Sequence, residues 1–528
     1  MADQRLFAAV PRSDVPRATF PMKFPIKTTC HGNNLIPFGC EEVLPGDAWN
    51  GNVTIFARMA SLLFPMMDNV EYETFFFFVP CRLVWSNWEK FMGEQANPAD
   101  SISYLIPTVG SNAGGFAINS LYDAFGLPTV GQTLGGNFCT VNALPFRAYN
   151  LIYNEWFRDE DLQNSLTVNL GDGPDSNAIY TIQQRGKKHD YFTSARPWVL
   201  KGGTQVPLPL AGVVSVVPTT NSIGPVFKKG AGPTPTLNLQ TSNAASPAGI
   251  TGAVSAAWAA NDNLNWATPN LQVDLSAATG PTINSWRLAL ATQQLLEKDA
   301  RGGTRYTELL RNHFGVTPDD ARLQRPEYIG GGRDMMQTQA MPNTNLGSSP
   351  LGSLAGQGIC NGQHRFSYHA TEHGYIIGLI NFRGEQTYQN GLRRLWTRST
   401  RYDFYLPVFQ NLGEQAIRND EIYHDGSAND TLAFGYQERW AELRYRPGQI
   451  MGLFKSRSAG TIDPWHLAIN FAALPVLNSS FIIDATPFAR ALAAGAGANN
   501  MQFLVDSYWD LQVTRALPVR SVPGLTRF

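Results

Sequence analysis

Charge is scarce in this chain. Asp, Glu, Lys and Arg make up 16% of its 528 residues, against about a quarter in an ordinary soluble chain. A surface this poor in charge is not built to face water alone, so another body is expected to cover part of it. Lysine is scarcer still, with 10 against 31 arginines, a bias towards planar, stacked or bidentate partners over plain solubility. Long apolar runs are missing. The stretch Thr74 to Val79 falls far short of the ~20 residues of a spanning helix, which excludes a transmembrane helix and membrane insertion. The N-terminus offers no apolar segment ending in a small-residue cleavage site, so it does not read as a secretory signal, and synthesis in the cytoplasm is expected. Cysteine is sparse too. Cys30, Cys40, Cys81, Cys139 and Cys360 are odd in number and contain no C-x-x-C pair, which excludes the usual zinc and redox spacings and points to buried reduced thiols. A net charge of −1 gives no global attraction to nucleic acid, so any such contact must be local.

What the sequence does have is Gly (48), Pro (34) and aromatics (11%). Gly and Pro recur along the whole length, the punctuation of short strands joined by long loops. Trp465 to Phe471, Trp509 to Thr514 and Ala441 to Arg446 each alternate apolar with polar residues, the period of a half-buried strand. Thr74 to Val79, with four consecutive phenylalanines before Pro80, has no alternation and suits a strand covered on both faces. Helical spacing is found from Pro145 to Phe157, from about Trp286 to Lys298, and from Tyr306 to Phe314, the last closed by Gly315. The body is therefore expected to be mainly β, with helices in the crossing loops. Between Gly202 and Gly280 the only charged residues are Lys228, Lys229, Asp262 and Asp274. That stretch reads as an insertion, and its valines and tryptophans are apolar material that a solvated linker lacks.

Catalytic chemistry is hard to find. His369-Ala370-Thr371-Glu372-His373 matches the H-x-x-E-H pattern of a zinc peptidase class, with His364 as a further ligand. That pattern needs a helix, and the Gly- and Ile-rich sequence that follows favours a strand, where the two imidazoles stand about 13 Å apart, too far to share one zinc. Gly356-Gln357-Gly358 and Gly186-Lys187 are incomplete phosphate loops, and there is no G-x-S-x-G elbow. No catalytic residue, cofactor or metal is expected.

Two basic groups remain. Arg393, Arg394, Arg398 and Arg401 surround Trp396 and Tyr402, with no acid between Glu385 and Asp403. Arginine mixed with aromatics serves protein interfaces, and also single-stranded nucleic acid, whose bases stack and whose phosphates pair. In the N-terminal arm, residues 1–30, Arg5, Arg12, Arg17, Lys23 and Lys27 stand against Asp3 and Asp14, threaded with prolines. Such an arm can grip a neighbour or a polyanion.

Several stretches are familiar together. Glu372 to Leu379, Leu392 to Trp396, Arg398 to Tyr405, Leu412 to Ala416, Phe434 to Glu442 and Asp463 to Ala468 resemble, in that order, the major capsid proteins of gokushoviruses. These are tailless single-stranded DNA phages of the microvirus family. Glu42 to Asp47, Phe64 to Asn69, Phe75 to Phe78 with Trp85 to Lys90, Tyr328 to Arg333 and Pro523 to Leu525 extend the resemblance towards both ends of the chain. It lapses between Gly202 and Gly280, where members of that family vary.

The resemblance implies an eight-stranded antiparallel jelly roll of the viral capsid type, with long loop insertions containing short helices. It divides the chain into the arm (1–30), a first part of the jelly roll (31–201), an inserted variable loop (202–280) and a second part with a C-terminal arm (281–528). It implies self-assembly into a 60-copy T=1 icosahedral shell, with five-, three- and twofold contacts, around circular single-stranded DNA. The insert becomes a threefold surface protrusion for host attachment, with Val216, Val217, Phe227, Trp258 and Trp266 as candidates for burial between copies. The implied partners are an internal scaffolding protein, a DNA pilot protein, a small DNA-binding protein, the packaged DNA and a host surface receptor. The implied place is the virion, assembled in the host cytoplasm. The competing readings are a zinc hydrolase using His369 and His373, and a jelly-roll carbohydrate-binding module motivated by the Trp and Tyr content.

Overall fold

The computed structural model describes residues 16–101, 103–202, 215–218, 226–229, 236–238, 264–266, 271–274, 282–303, 305–316, 324–344, 352–494 and 501–520. The chain divides into a larger unit, the residues up to Lys201 together with those from Asp299 onward, and a smaller one, Gly202–Lys298.

The larger unit is organised by one antiparallel sheet. Its strands are β1 (Ala18–Cys30), β2 (Asn34–Val43), β3 (Ala48–Met59), β4 (Val70–Pro80), β5 (Gln183–Gln184), β6 (Glu327–Met335), β7 (Gln337–Pro342), β8 (Leu354–His369), β9 (Gly374–Gly384) and β10 (Phe503–Arg515). They follow the order β1-β10-β3-β8-β6-β4-β9-β2-β5, and β7 also pairs with β8. β6 and β8 meet at a single register pair, Gly330 opposite Phe366. At that joint the sheet curls, and its two halves enclose the main core. This is the jelly-roll architecture, with the additional strands β1 and β5 at its two edges. The long connections from β4 to β6 and from β9 to β10 carry the short helices.

The strand periods explain the packing. In β10 Val505, Trp509, Leu511 and Val513 are buried while Leu504, Tyr508 and Gln512 face out, the alternation read from the sequence. β1 alternates in the same way, sending Met22, Phe24 and Ile26 towards the core. It lies at the sheet edge, where Pro21 and Pro25 remove no ladder hydrogen bond that the fold needs. β4 is buried on both faces. Phe76 and Phe78 join the main core, while Phe77 and Val79 join a second core built with helix α1 (Leu144–Ile152).

Trp509 sits at the centre of the first core, 5.2 Å from Phe38 and 5.7 Å from Phe76 between ring centroids. Gly39 of β2 and Gly378 of β9 are opposed in register. A Cβ at Gly39 would lie 2.3 Å from the indole, and one at Gly378 2.9 Å from it. The two glycines form the slot that the indole fills.

The expected helices form. Leu144–Ile152 continues into a π turn through Phe157. α2 is Ile283–Gly302, and α3 is Tyr306–Phe314, capped by Gly315 at φ +68°. The smaller unit contains the antiparallel pair Ser215–Pro218 with Leu271–Asp274, and Val226–Lys229 flanked by Thr236–Asn238 and Leu264–Trp266. It extends to Lys298, through most of α2. No helix among the described residues is long and apolar enough to cross a membrane.

Three local expectations need correction. Ala441 to Arg446 is no strand: Ala441–Arg444 is a helical turn, launched by Trp440 at φ +70°. Only Ala441 of its apolar residues is buried, and Leu443 faces out. Trp465 to Phe471 is a 3-10 turn, Asp463–Trp465, followed by extended chain. The burial alternation is there, but partners other than a ladder strand take its N–H groups. Asp68 accepts from Leu467 N at 2.7 Å, Thr387 O from Ile469 N at 2.8 Å and Asn390 from Phe471 N at 2.9 Å. His369 to His373 is the turn between β8 and β9 rather than a strand. There Arg82 donates to both Glu372 oxygens at 2.6 and 3.1 Å, and His373 packs against Trp88. The five cysteines are free thiols, but only Cys30, Cys81 and Cys360 are buried. Cys40 and Cys139 are half-buried.

His364 lies inside the curl. Its Nδ1 is 2.6 Å from the Thr74 hydroxyl and its Nε2 is 3.0 Å from Asp334 Oδ2, which also accepts from Tyr72. Burial holds its pKa below the ordinary value although Asp334 pulls the other way. The unfolded chain therefore binds this proton more readily. The neutral ring's contribution to stability is complete above the unfolded value of about 6.5 and is lost as pH falls below it towards the lower folded value. The melting temperature is expected to fall between about pH 7.5 and about pH 5, and the fall should be shallower in His364→Gln. Equal slopes in a pair of calorimetric series would refute this assignment.

Candidate functional site

The segment Gly391 to Leu412 leaves the jelly roll after β9 as a chain of 3-10 turns, Arg394–Trp396, Arg401–Asp403 and Pro407–Phe409. Local polar side chains set the turns. Asp403 Oδ2 accepts from Thr400 N at 2.7 Å, from the Thr400 hydroxyl at 2.8 Å and from Ser399 N at 3.1 Å. These bonds hold its pKa down to about 2. Beneath the segment lies a third core containing Phe192, Tyr388, Ile417, Ile422 and Phe434. The turns are thus a fixed relief on a packed base.

The structure splits the basic and aromatic group in two. Arg394 donates to Ala416 O at 2.9 Å and to Glu421 at 3.2 Å. Arg398 donates to Glu442 at 3.3 Å and lies over the Phe404 ring. Glu421 is itself buried, accepts from Tyr191 at 2.8 Å, and has its pKa raised by burial even against the pull of Arg394. Arg394 and Arg398 are therefore internal ties. Arg393 and Arg401 carry no such partner and are exposed, as are Trp396 and Tyr402. Arg393 and Trp396 line a cleft of about 280 Å³ together with Tyr445, Arg446 and Lys455.

The surface around them is apolar. Trp396 is 71% exposed, Tyr402 67% and Val408 87%, and Leu395, Phe404, Tyr405 and Leu412 are exposed as well. Contiguous apolar relief of this kind is a mark of an interaction surface. Leu395, Phe404, Val408 and Leu412 went unnoticed in the sequence. The only signal was negative, apolar residues in a stretch with neither strand nor helix period. The two neutralising acids lie 27 and 44 positions from their arginines, beyond any local pattern.

The arm is less free than its composition suggests. Lys23 pairs with Asp510 at 3.0 Å and Lys27 with Asp506 at 2.8 Å across the β1–β10 ladder, and Arg17 donates to Gly46 O at 2.8 Å. From Ala18 onward the arm is a strand of the subunit's own sheet, with Lys23 and Lys27 still exposed beside their carboxylates. Arg5 and Arg12 lie outside the described residues. Within residues 202–280, Phe227 pairs in register with Leu237 and Trp266, Val216 with Val273 and Val217 with Gln272. Trp258 lies outside the described residues.

Comparison with known proteins places the chain among capsid proteins. The chain is 44% identical to the capsid protein VP1 of Bdellovibrio phage phiMH2K, over 99% of this chain and 98% of the relative. It is 38% identical to the capsid protein VP1 of Chlamydia phage 1, over 99% and 98%. Against the capsid protein VP1 of Spiroplasma virus 4 it is 34% identical, over 99% and 97%. These relatives are structural proteins named for a shell, and neither the hydrolase reading nor any other enzyme finds support among them. With residues 8–525 matching the family described as Capsid protein (F protein), the chain belongs to that family and is a structural capsid protein of the virion.

Proposed function

We propose that sixty copies of this chain close a T=1 icosahedral shell around circular single-stranded DNA, through five-, three- and twofold contacts. The observation that carries the reading is the apolar relief of Gly391 to Leu412, fixed on a packed core and left bare by the subunit itself. Identical neighbours would cover it, which is also why so little of the sequence is charged. Within this reading, Arg393, Trp396, Arg401 and Tyr402 are inter-subunit contacts, and Arg5 and Arg12 reach a neighbour or the packaged strand. Residues 202–280 form the host-facing protrusion at the threefold axes, with Val216, Val217, Phe227, Trp258 and Trp266 buried between three copies. An internal scaffolding protein acts during assembly in the host cytoplasm. A DNA pilot protein, a small DNA-binding protein and a host surface receptor complete the set of partners.

The test is direct. Material purified after co-expression with the other phage proteins is expected to show closed particles of icosahedral symmetry in electron micrographs. DNA extracted from them after nuclease treatment should be degraded by a single-strand-specific nuclease. Folded monomer under every assembly condition, with those partners present, would refute the proposal.

A further inference from the structure

We propose that two unlike surfaces of this chain dock on each other between neighbouring copies: the cationic relief of Gly391 to Leu412, and an acidic apolar lobe formed by the loops between residues 93 and 142. The inference rests on the capsid reading and goes further by naming the two faces that meet.

The second surface is conspicuous for what it omits. From Phe91 to Phe146 there is no lysine or arginine, and the acids are Glu94, Asp100 and Asp123. The loops are knitted into one lobe. Ser111 N donates to Cys139 O at 2.8 Å, Gly114 N to Asn137 O at 2.9 Å, Phe116 N to Pro128 O at 3.1 Å and Val130 N to Phe116 O at 2.9 Å. Phe116, Leu121 and Tyr122 bury their side chains in the second core, which ties the lobe to the rest of the subunit. Yet Leu105 is 86% exposed, Leu134 80% and Phe138 67%, with Ile118 and Val130 also uncovered. A lobe that leaves six large apolar side chains outside, Ile106 being the sixth, has apolar area to spare for a partner.

The two faces answer each other in charge. Gly391 to Leu412 carries four arginines against Asp403, and Phe91 to Phe146 carries three acids and no cation, so the two stretches are opposite in sign. On the first face the subunit itself neutralises Arg394 and Arg398, which leaves Arg393 and Arg401 to meet Glu94 and Asp100. Burying the apolar residues supplies affinity, while the charges select the partner and fix its register. A joint between unlike patches is heterologous, and repeated about a rotation axis it closes a ring. Nucleic acid is the other conceivable occupant of the cationic face. That face is disfavoured for it because only Arg393 and Arg401 are left to pair phosphates, fewer cations than a groove tracking a strand provides, and Leu395, Val408 and Leu412 are exposed beside its rings.

A charge-swap experiment tests the docking. Particle yield is measured by sedimentation and electron microscopy for the full chain, for Glu94→Arg with Asp100→Arg, for Arg393→Glu with Arg401→Glu, and for all four changes together. Each pair should lower the yield at least about tenfold, because like charges then face each other across the joint. The fourfold variant should return to within about threefold of the natural chain, the restored complementarity being the cause. Glu94, Arg393 and Arg401 are exposed, while Asp100 is half-buried and accepts from Asn97 N at 2.9 Å, so unchanged circular dichroism of the subunit is needed to separate a lost joint from a lost fold. The proposal is overturned if either pair assembles normally, if the fourfold variant does no better than the pairs, or if Arg393→Glu with Arg401→Glu yields normal shells depleted only of DNA. Failure of the natural chain itself to form shells would overturn the capsid reading beneath it.

Discussion

Replacing Arg147 with methionine is expected to destabilise the subunit by about 3–5 kcal/mol, the cost of leaving one member of a buried ion pair without its partner. Both side chains of the pair are wholly buried. Arg147 grips Asp175 with two bonds of 2.8 Å and spends a third, at 3.1 Å, on Val84 O. Asp175 accepts further bonds from Tyr180 at 2.5 Å and Asn169 at 2.6 Å. Burial alone would raise the Asp175 pKa, but the bonds from Arg147 and Tyr180 outweigh it and hold the carboxyl below its ordinary value. Without the guanidinium, burial is expected to prevail and to raise the carboxyl's pKa above its ordinary value. Denaturant titration should therefore show a large loss for Arg147→Met at pH 7. Adding Asp175→Asn should recover part of that loss, because the amide still accepts from Tyr180 and brings no charge. If the single variant unfolds at the natural midpoint, the pair does not anchor α1 to the loop that carries Asp175.

A loss of similar size, about 3–5 kcal/mol, is expected for Trp509→Ala, the range for deleting a large buried aromatic side chain. The indole touches both halves of the curled sheet. It belongs to β10, and its slot is cut by Gly39 and Gly378 on the opposite half. Walls made of backbone cannot collapse far into the vacancy, so the cavity term should be near its full value. Gly378→Val is the complementary test. Its side chain would enter space the indole already occupies, and overpacking of this kind costs about 1–3 kcal/mol. Combining it with Trp509→Ala should cost less than the two losses added together, because the new valine partly refills the void. Strict additivity in thermal melts would show that the slot and the indole are not in contact.

What the sequence disclosed followed its periods. Phe503–Arg515 and the two-sided strand Val70–Pro80 were readable because side chains alternate, or fail to, with the pleat. The helix Tyr306–Phe314 was readable because Gly315 closes it in the left-handed region. Alternation misled where hydrogen bonding was not a ladder. Trp465 to Phe471 has the burial of a strand, but Asp68, Thr387 and Asn390 satisfy its N–H groups. The candidate surface was legible as a cluster of residue types but not as a geometry. Arg393 and Arg394 are adjacent, and only tertiary contacts with Glu421 and Glu442 decide that one faces outward while the other is consumed within the subunit. The acidic lobe left a plain trace, a long stretch with no basic residue, whose meaning appears only once the cationic relief is seen on the same subunit.

The pairing of β1 with β10 has a temporal consequence. Ala18 lies opposite Arg515 and Cys30 opposite Phe503, so β1 cannot pair until β10 has been made. While the ribosome is still working, β3 has no β10 beside it, and the slot between Gly39 and Gly378 stands vacant. A polypeptide cut short by premature termination or proteolysis would keep an open seam and an unfilled centre. The sheet therefore closes around its core only after Phe503–Arg515 has been translated.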